Sequence, residues 1–152
     1  MQKYPSLNFK NTTVQLKKGE LIFDSVRKKW LKLTPEEWVR QHLVEYLHVQ
    51  AGYPKSLMAI ESGLKVNNLQ KRTDLVLFGA NSNKLMLVEC KAPSVAINQE
   101  VFNQIARYNM TLKVEFLMVT NGLKHYCCKI DFENEKFIFL NDIPTYEQLL
   151  ST

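Results

Sequence analysis

Three ionisable residues lie in two strand-like runs near the middle of the chain. Asp74 lies in the first run, residues 72–78, and Glu89 and Lys91 lie at the end of the second, residues 84–91. Side chains alternate along a strand, so Glu89 and Lys91 must point to the same side of their sheet. Two charges at the end of an apolar Leu-Met-Leu-Val stretch cost desolvation free energy, which chains usually accept only for a paired or metal-bound group.

This arrangement predicts metal-assisted phosphodiester chemistry. If residues 79–83 form a turn, Asp74 and Glu89 lie on neighbouring strands near the same end of the sheet. Two carboxylates can hold one divalent ion, and hard oxygen ligands select Mg²⁺ or Mn²⁺, with the backbone carbonyl of Cys90 completing the set. Lys91 would stabilise developing negative charge or position the nucleophile. A purely structural Asp/Glu/Lys cluster is the alternative.

The elements that must position these residues are predicted in the order helix, three strands, helix, strands. Thr34 is a typical N-cap, Pro35 suits the first helical position, and Glu37 occupies the capping-box position of a helix that ends near Ala51. The pattern predicts a hairpin at 20–24 and 29–33, an antiparallel meander at 57–66, 72–78 and 84–91, a helix at 96–112, strands at 114–120, 124–130 and 136–140, and a helix at 144–150. The crossover favours parallel pairing of 114–120 with 84–91.

Length and composition set the broad class. A chain of 152 residues that is 45% hydrophobic fits one domain over residues 1–152, with a β-rich extension over about 1–33. The net charge of +5 and pI near 9.1 suit an anionic partner such as nucleic acid. Three cysteines without a C-x-x-C spacing fit a reducing cytoplasm. With no signal peptide and no apolar run of about 20 residues, we expect no membrane partner.

Together these residues resemble the PD-(D/E)XK nuclease superfamily, whose acid, acid, x, lysine signature matches Asp74, Glu89 and Lys91. More narrowly, residues 36–43, 72–76, 88–93, 104–109 and 119–122 resemble the amino-terminal nuclease domain of type I restriction enzyme R subunits, over about residues 30–125. The resemblance implies an α/β restriction-endonuclease-like fold with an αβββαβ core, its central mixed sheet flanked by helices. It also implies a Mg²⁺-dependent deoxyribonuclease, with Mn²⁺ as a substitute ion.

The sequence departs from this family pattern in two ways. Thr73 stands where the superfamily name has a proline, a position that carries no chemistry. The chain also lacks a G-x-x-x-x-G-K-[ST] phosphate loop, whereas type I R subunits continue into an ATP-driven translocase. We therefore expect either a free-standing relative or a fragment, with translocase or modification subunits of a restriction system as partners. A homodimer would allow both strands of a duplex to be cut.

Further residues are candidates for supporting the site. Gln104 and Tyr108 lie one helical turn apart, on one face, and in related nucleases such a Q-x-x-x-Y pair borders the active site. Glu37 is either a metal-site acid or a capping-box residue, and its spacing places it beside Gln41. Glu61 is a weaker candidate for the same acid.

The remaining polar residues leave several interpretations open. Basic residues that would contact DNA phosphates, or else are solvated surface charges, are Lys55, Lys65, Lys71, Arg72 and Arg107. The three histidines share no metal-ligand spacing and are interpreted as structural or surface residues. Cys127-Cys128 is interpreted as one buried and one exposed strand position. The rival functions are a catalytically silent DNA-binding or assembly module, and a nuclease that is RNA-directed or transposon-linked.

Overall fold

A computed structural model describes residues 4–18, 20–60, 64–66, 69–71 and 75–151, with the backbone alone for residues 64–66, 69–71, 108 and 111. Its α-helices are α1 (Pro35–Val49), α2 (Gln99–Asn109) and α3 (Tyr146–Leu150). Its strands are β1 (Leu16–Lys17), β2 (Leu21–Asp24), β3 (Lys29–Lys32), β4 (Met58–Ala59), β5 (Leu64–Val66), β6 (Leu69–Lys71), β7 (Leu75–Phe78), β8 (Lys84–Cys90), β9 (Phe116–Thr120), β10 (His125–Asp131) and β11 (Lys136–Leu140). Short 3₁₀ helices lie at Lys55–Leu57 and Met110–Leu112.

Six strands form a central mixed sheet in the order β11-β10-β9-β8-β7-β4. The pairs β4–β7 and β7–β8 are antiparallel, as the predicted meander requires. The strand β9 returns parallel to β8 after α2, which confirms the predicted crossover. The predicted strand at 57–66 is interrupted, because β4 has two residues and β5 pairs with β6 in a separate two-stranded hairpin.

Helices cover both faces of the middle strands of the central sheet. On one face, Val39 and Leu43 of α1 pack in the same cluster as Val88. On the other face, Phe102 and Ile105 of α2 cluster with Leu87, Val76 and Leu117. The predicted α/β class, with a central mixed sheet between helices, is confirmed.

Side-chain caps fix where the helices begin. The hydroxyl oxygen of Thr34 accepts a hydrogen bond from the Glu37 N–H at 3.1 Å, so α1 begins at Pro35 as predicted. The Asn98 side chain caps α2, which therefore begins at Gln99 rather than near residue 96. A complete capping box at Thr145 starts α3 two residues later than predicted. The oxygen atoms of these short side chains accept hydrogen bonds from backbone N–H groups that have no partner within the helix.

The interpretation of Cys127 and Cys128 as one buried and one exposed residue is wrong. Both thiols are buried, at 3% and 0% exposure. Cys127 lies in the α1-side cluster and Cys128 in the α2-side cluster. Alternation along β10 still puts them on opposite faces, but each face is covered. Burial raises the pKa of each thiol to about 12, so both stay protonated at neutral pH.

The predicted hairpin near the amino terminus is present, and a third strand adds to it. Strands β1, β2 and β3 form a separate three-stranded antiparallel sheet. Its inner side packs Ile22 against Leu33 and Trp38. Asp24 is completely buried and paired with Arg27 at 2.7 Å across the turn.

The segment that precedes this sheet lies along α1 and the β9–β10 turn. The Trp38 indole N–H donates to the Pro5 carbonyl at 2.9 Å. The Asn8 N–H donates to the Gly122 carbonyl at 2.7 Å, and the Phe9 ring stacks on His125 with centroids 4.4 Å apart. The amino-terminal segment is therefore part of the packed structure. Among the described residues, no helix is long and apolar enough to cross a membrane.

Candidate functional site

The carboxyl end of β8 carries the predicted acid and lysine. The Lys91 Nζ atom lies 3.2 Å from Glu89 Oε1, and the two side chains are 32% and 20% exposed. Leu87, two residues earlier on the same face, packs into the α2-side cluster. Glu89 and Lys91 therefore share one side of the sheet, as alternation predicts, and solvent reaches both charges.

The neighbouring strand holds the backbone of this site in place. Glu89 and Cys90 pair in register with Val119 and Thr120 of the parallel strand β9. The Lys91 N–H donates to the Thr120 carbonyl at 2.8 Å, which extends the pairing one residue past the end of β8. The Cys90 side chain is buried on the opposite, α1 side, so its contribution to a metal site would come from its carbonyl.

Asp74, the second predicted carboxylate, lies outside the described residues. It is bonded to Leu75, whose partner across the β7–β8 pair is Val88, the residue before Glu89. The turn between these strands is closed by the Gly79 N–H, which donates to the Asn83 carbonyl at 2.8 Å. The predicted hairpin is thus confirmed over its described residues, and the position of Asp74 stays a prediction.

Asn121 ties the segment after β8 to the β9–β10 turn. Its Nδ2 donates to the Val95 carbonyl at 2.8 Å. Its Oδ1 accepts from the N–H groups of Leu123 and Lys124, at 2.9 and 2.8 Å. Sequence analysis missed this residue, since an Asn-Gly pair after a strand indicates a turn but not a long-range bond.

Glu37 lies at the start of α1 and is held by two buried side chains. Its carboxylate accepts hydrogen bonds from Arg40 and from Gln41 Nε2, the latter at 3.1 Å. Arg40 is 4% exposed and Gln41 is 1% exposed. The predicted proximity of Glu37 and Gln41 is confirmed, while Arg40 was missed although its i+3 spacing signals such a pair.

Glu37 also lines a cleft beside the predicted site. The cleft has a volume of about 400 Å³, and its walls include Glu37, Arg40, Lys32 and Ala92. Ala92 follows Lys91 directly. The cleft therefore joins the first turn of α1 to the end of β8, and it is open to a ligand larger than water.

The other predicted supporting residues divide into three groups. Gln104 and Arg107 are exposed on α2. Lys55 pairs with Glu45 at 2.9 Å, which leaves its charge partly neutralised rather than displayed alone to DNA. Residues with no described side chain, whose roles stay predictions, are Glu61, Lys65, Lys71, Arg72 and Tyr108.

The described residues supply part of a hard-metal ligand set. Within the described ranges there is no group of three or more His, Cys, Asp or Glu side chains that could hold a metal ion. Mg²⁺, however, is commonly held by one or two carboxylates together with retained waters. The half-buried Glu89 carboxylate and the Cys90 carbonyl are hard oxygen donors of that kind. The buried, protonated Cys127 and Cys128 thiols offer no soft alternative.

The fold and this site define a mixed α/β domain with an acid and a lysine at the carboxyl end of a central strand. A family model described as the type I restriction enzyme R protein N terminus (HSDR_N) matches residues 35–144. The match covers more than half of the chain, so the chain belongs to this family. It begins at the first residue of α1, which leaves the β1–β3 sheet outside it.

A solved structure supports the same fold. The chain resembles a fragment of a protein assigned as the HsdR subunit of a type I restriction enzyme from Vibrio vulnificus YJ016, with a TM-score of 0.55 and 20% sequence identity. The alignment covers 78% of this chain and 25% of that chain. At this identity the likeness shows the fold alone, and the present chain spans about a quarter of the relative. No curated protein matches the sequence.

Proposed function

We propose that this chain is a Mg²⁺-dependent DNA endonuclease of the PD-(D/E)XK type, acting within a type I-like restriction system. The observation that carries the proposal is the Glu89–Lys91 pair, 3.2 Å apart on the α2 side of β8. Membership in the R-protein amino-terminal family adds support, because that family belongs to restriction enzymes. The site, rather than the fold, is the argument for chemistry.

The metal would be held by Asp74, Glu89 and the Cys90 carbonyl. When bound, Mg²⁺, or Mn²⁺ in its place, supplies Lewis acidity at a phosphate and makes water a stronger nucleophile at neutral pH. The chain contributes a fixed backbone, since Glu89 and Cys90 are paired with β9 and Lys91 is bonded to Thr120. The backbone that carries these ligands therefore needs little reorganisation when the ligand arrives.

Lys91 supplies a positive charge close to the reacting phosphate. In the structure its ammonium group is balanced by Glu89. If Glu89 turns to the metal, the lysine becomes available to the phosphate oxygen that gains negative charge, or to the attacking water. Lys91 donates hydrogen bonds and cannot replace a metal-binding carboxylate, so the two residues have separate roles.

Three residues would support this centre from its borders. Glu37 lines the cleft together with Ala92, where it would bind a second ion or a bridging water. Its present partners, Arg40 and Gln41, fix the carboxylate in place. Gln104 and Tyr108 would bind the phosphate or orient Lys91 without adding charge.

The biological setting follows from the family. We propose that the chain works with the translocase and modification parts of a restriction system, since its family is that of type I restriction enzyme R proteins. Cutting both strands of a duplex requires two sites or two successive events, which a homodimer would provide. DNA is the proposed substrate, in the cytoplasm.

The decisive experiment measures cleavage of supercoiled, linear and single-stranded DNA by the purified chain with Mg²⁺, Mn²⁺ or EDTA. The variants are Lys91→Ala, Glu89→Gln and Asp74→Asn. Lys84→Ala is the matched control, because Lys84 is an exposed lysine at the opposite end of the same strand. We expect each site variant to lower the cleavage rate about 100-fold or more, and the control to leave it unchanged.

A parallel measurement separates metal binding from turnover. Isothermal titration with Mn²⁺ should show a site that Glu89→Gln and Asp74→Asn weaken and that Lys91→Ala retains. Cleavage that persists in Lys91→Ala would assign the activity to a contaminant. A chain that neither cuts DNA nor binds metal would be a catalytically silent module, and the proposal would be wrong.

A further inference from the structure

The net positive charge of this protein is concentrated in one part of the chain. Residues 10–33 contain seven lysines and arginines but two acids, out of 20 basic and 15 acidic residues in the whole sequence. The remaining residues therefore carry thirteen of each sign and are neutral overall. The whole net charge of +5 lies in the segment that builds the β1–β3 sheet.

The excess positive charge is exposed at the surface, because one of the two acids is buried and the lysines are not. Of the two acids, Asp24 is completely buried and already paired with Arg27. In contrast, the lysines of the sheet and its turns are exposed: Lys17, Lys18, Lys28, Lys29 and Lys32. Clustered exposed cations raise the local concentration of a polyanion, and each phosphate contact adds affinity through counterion release.

The strand register places two of these lysines beside an aromatic pair. Lys17, Leu21 and Lys32 lie in one row across the three strands. Two residues further along β2, on the same side of the sheet, Phe23 pairs with Trp30, and their ring centroids lie 5.2 Å apart. The Lys17 Nζ atom lies 5.6 Å from the centroid of the Trp30 ring. We call these five residues the outer face.

An exposed tryptophan in such a position calls for a reason. Trp30 is 39% exposed, whereas the other tryptophan, Trp38, is 7% exposed in the inner cluster. A basic surface that also displays aromatic rings suits nucleic acid, because lysines contact phosphates while rings contact bases or sugars. A surface that serves solubility alone needs the lysines but not the exposed ring.

The outer face is also continuous with the candidate site. Lys32 lines the 400 Å³ cleft together with Arg27 of the β2–β3 turn. The same cleft is also lined by Glu37 and by Ala92, the residue that follows Lys91. The outer face therefore borders the cleft that reaches the end of β8.

We propose that the outer face is a nucleic-acid-binding surface, on which Lys17 and Lys32 contact backbone phosphates and Trp30 contacts the bound strand. The identification of the ligand as DNA rests on the proposed function. Two strand spacings separate Lys17 from Lys32, roughly 10 Å, so they contact different phosphates of one strand. This surface lies outside residues 35–144, the part that matches the family model, and it supplies affinity without sequence specificity.

The experiment measures DNA binding by the full chain in EDTA, where no cleavage occurs. Fluorescence anisotropy of labelled single-stranded and duplex oligonucleotides gives Kd at several KCl concentrations. The test variant is Lys17→Gln/Lys32→Gln. Its matched control is Lys84→Gln/Lys136→Gln, which removes the same charge from two exposed lysines of the central sheet. Thermal unfolding checks that both variants fold.

We expect the test variant to raise Kd about tenfold or more and to lower the slope of log Kd against log salt by about 2. The control should change Kd less than about twofold. Tryptophan fluorescence supplies a direct readout, since Trp38 is buried and Trp30 is exposed. DNA should change the fluorescence of the wild type and of the control, and Trp30→Phe should abolish that change.

Equal Kd values for test and control variants, or a DNA-induced signal that survives Trp30→Phe, would overturn the inference.

The experiments can refute either of the two proposals without refuting the other. Wild-type cleavage with an unaffected outer-face variant would refute the surface and keep the nuclease. Outer-face binding without any metal-dependent cleavage would refute the nuclease and keep the surface.

Discussion

The two main sheets of this protein differ in how much of their surface is buried. The middle of the central sheet is buried on both faces, under α1 and α2, and the charged pair Glu89–Lys91 lies at the end of β8. The β1–β3 sheet is buried on one face and displays lysines and an aromatic pair on the other. The first arrangement fixes a few charged groups in place, whereas the second displays many charged and aromatic groups over a wide surface.

Burial decides how each sheet uses a charge. At the end of β8, the protein holds Glu89 and Lys91 partly out of water, which strengthens their field and makes their geometry matter. On the outer face, water and salt screen each lysine, so a single one contributes little. Affinity there must come from several contacts at once. The comparison therefore predicts large effects of single changes in the central sheet and small ones in the β1–β3 sheet.

The largest expected difference is in stability. Leu117 is completely buried in β9, and Leu16 is 47% exposed in the edge strand β1. We expect Leu117→Ala to lower the free energy of unfolding by about 2–5 kcal/mol, since it leaves a cavity. Leu16→Ala should cost less than about 1 kcal/mol. Urea denaturation of both variants measures the difference, and equal costs would contradict the contrast between the two sheets.

A smaller effect is expected where the amino-terminal segment meets the central sheet. Gly122 has φ of +85°, and a Cβ there would lie 2.6 Å from Leu7 Cδ2 and 3.2 Å from Val39 Cγ2. Gly122→Ala should therefore cost about 1–3 kcal/mol, from backbone strain and displacement of Leu7.

Gly52→Ala is the matched control for that contact. Gly52 has φ of +78° but has nothing within 4 Å of an added Cβ, so its variant should cost only about 1 kcal/mol of backbone strain. The difference in free energy of unfolding between the two variants isolates the packing of the amino-terminal segment. If Gly122→Ala is no more destabilised than Gly52→Ala, the amino-terminal segment moves aside without lowering the free energy of unfolding.

The smallest effect is a pH dependence at the same junction. The His125 ring bridges Thr120 Oγ1 at 2.7 Å and the Asn8 carbonyl at 2.9 Å, and His42 Nδ1 lies 2.8 Å from Thr12 Oγ1. Burial lowers the pKa of both histidines below the ordinary 6.5, although the nearby Glu45 charge opposes this at His42 and the Asn8 hydrogen bond opposes it at His125.

A lowered histidine pKa means that the unfolded chain binds protons more readily than the folded chain. Below pH 6.5, stability should therefore fall as the pH decreases toward the folded-state pKa values, by at most about 1.4 kcal/mol per pH unit for each histidine. Urea denaturation from pH 7.5 to 5.0 measures this slope. His42→Gln and His125→Gln should each flatten it, and a slope that neither variant changes would assign the acid sensitivity to other groups.

Much of the fold could be predicted from the sequence because its signals are local. The cap at Thr34 gave the start of α1, and the long apolar runs gave β8 and β9 together with their parallel crossover. Two signals misled. Alternation in Cys127-Cys128 suggested that one side chain is exposed, but the sheet is covered on both sides at these two positions. Apolar continuity at 57–66 suggested one strand, where the structure forms β4 and then a separate hairpin.

The candidate site could be predicted only in part. Strand alternation was sufficient to place Glu89 beside Lys91, and helical spacing was sufficient to place Glu37 beside Gln41. It was not sufficient to find Asn121, whose side chain reaches Val95 across 26 positions of the sequence. Nor could it show that the turn after β9 would be held by Asn8. Such contacts depend on the relative placement of whole elements.

The sequence by itself determined the class of this protein, the order of its elements and the residues that could carry chemistry, since composition, caps and alternation act over a few neighbours. The tertiary structure decided which faces are buried, and it exposed the lysines that carry the net positive charge on the β1–β3 sheet, beside the cleft that reaches the end of β8. Burial depends on the elements that pack against a residue. A pattern along one strand cannot reveal it.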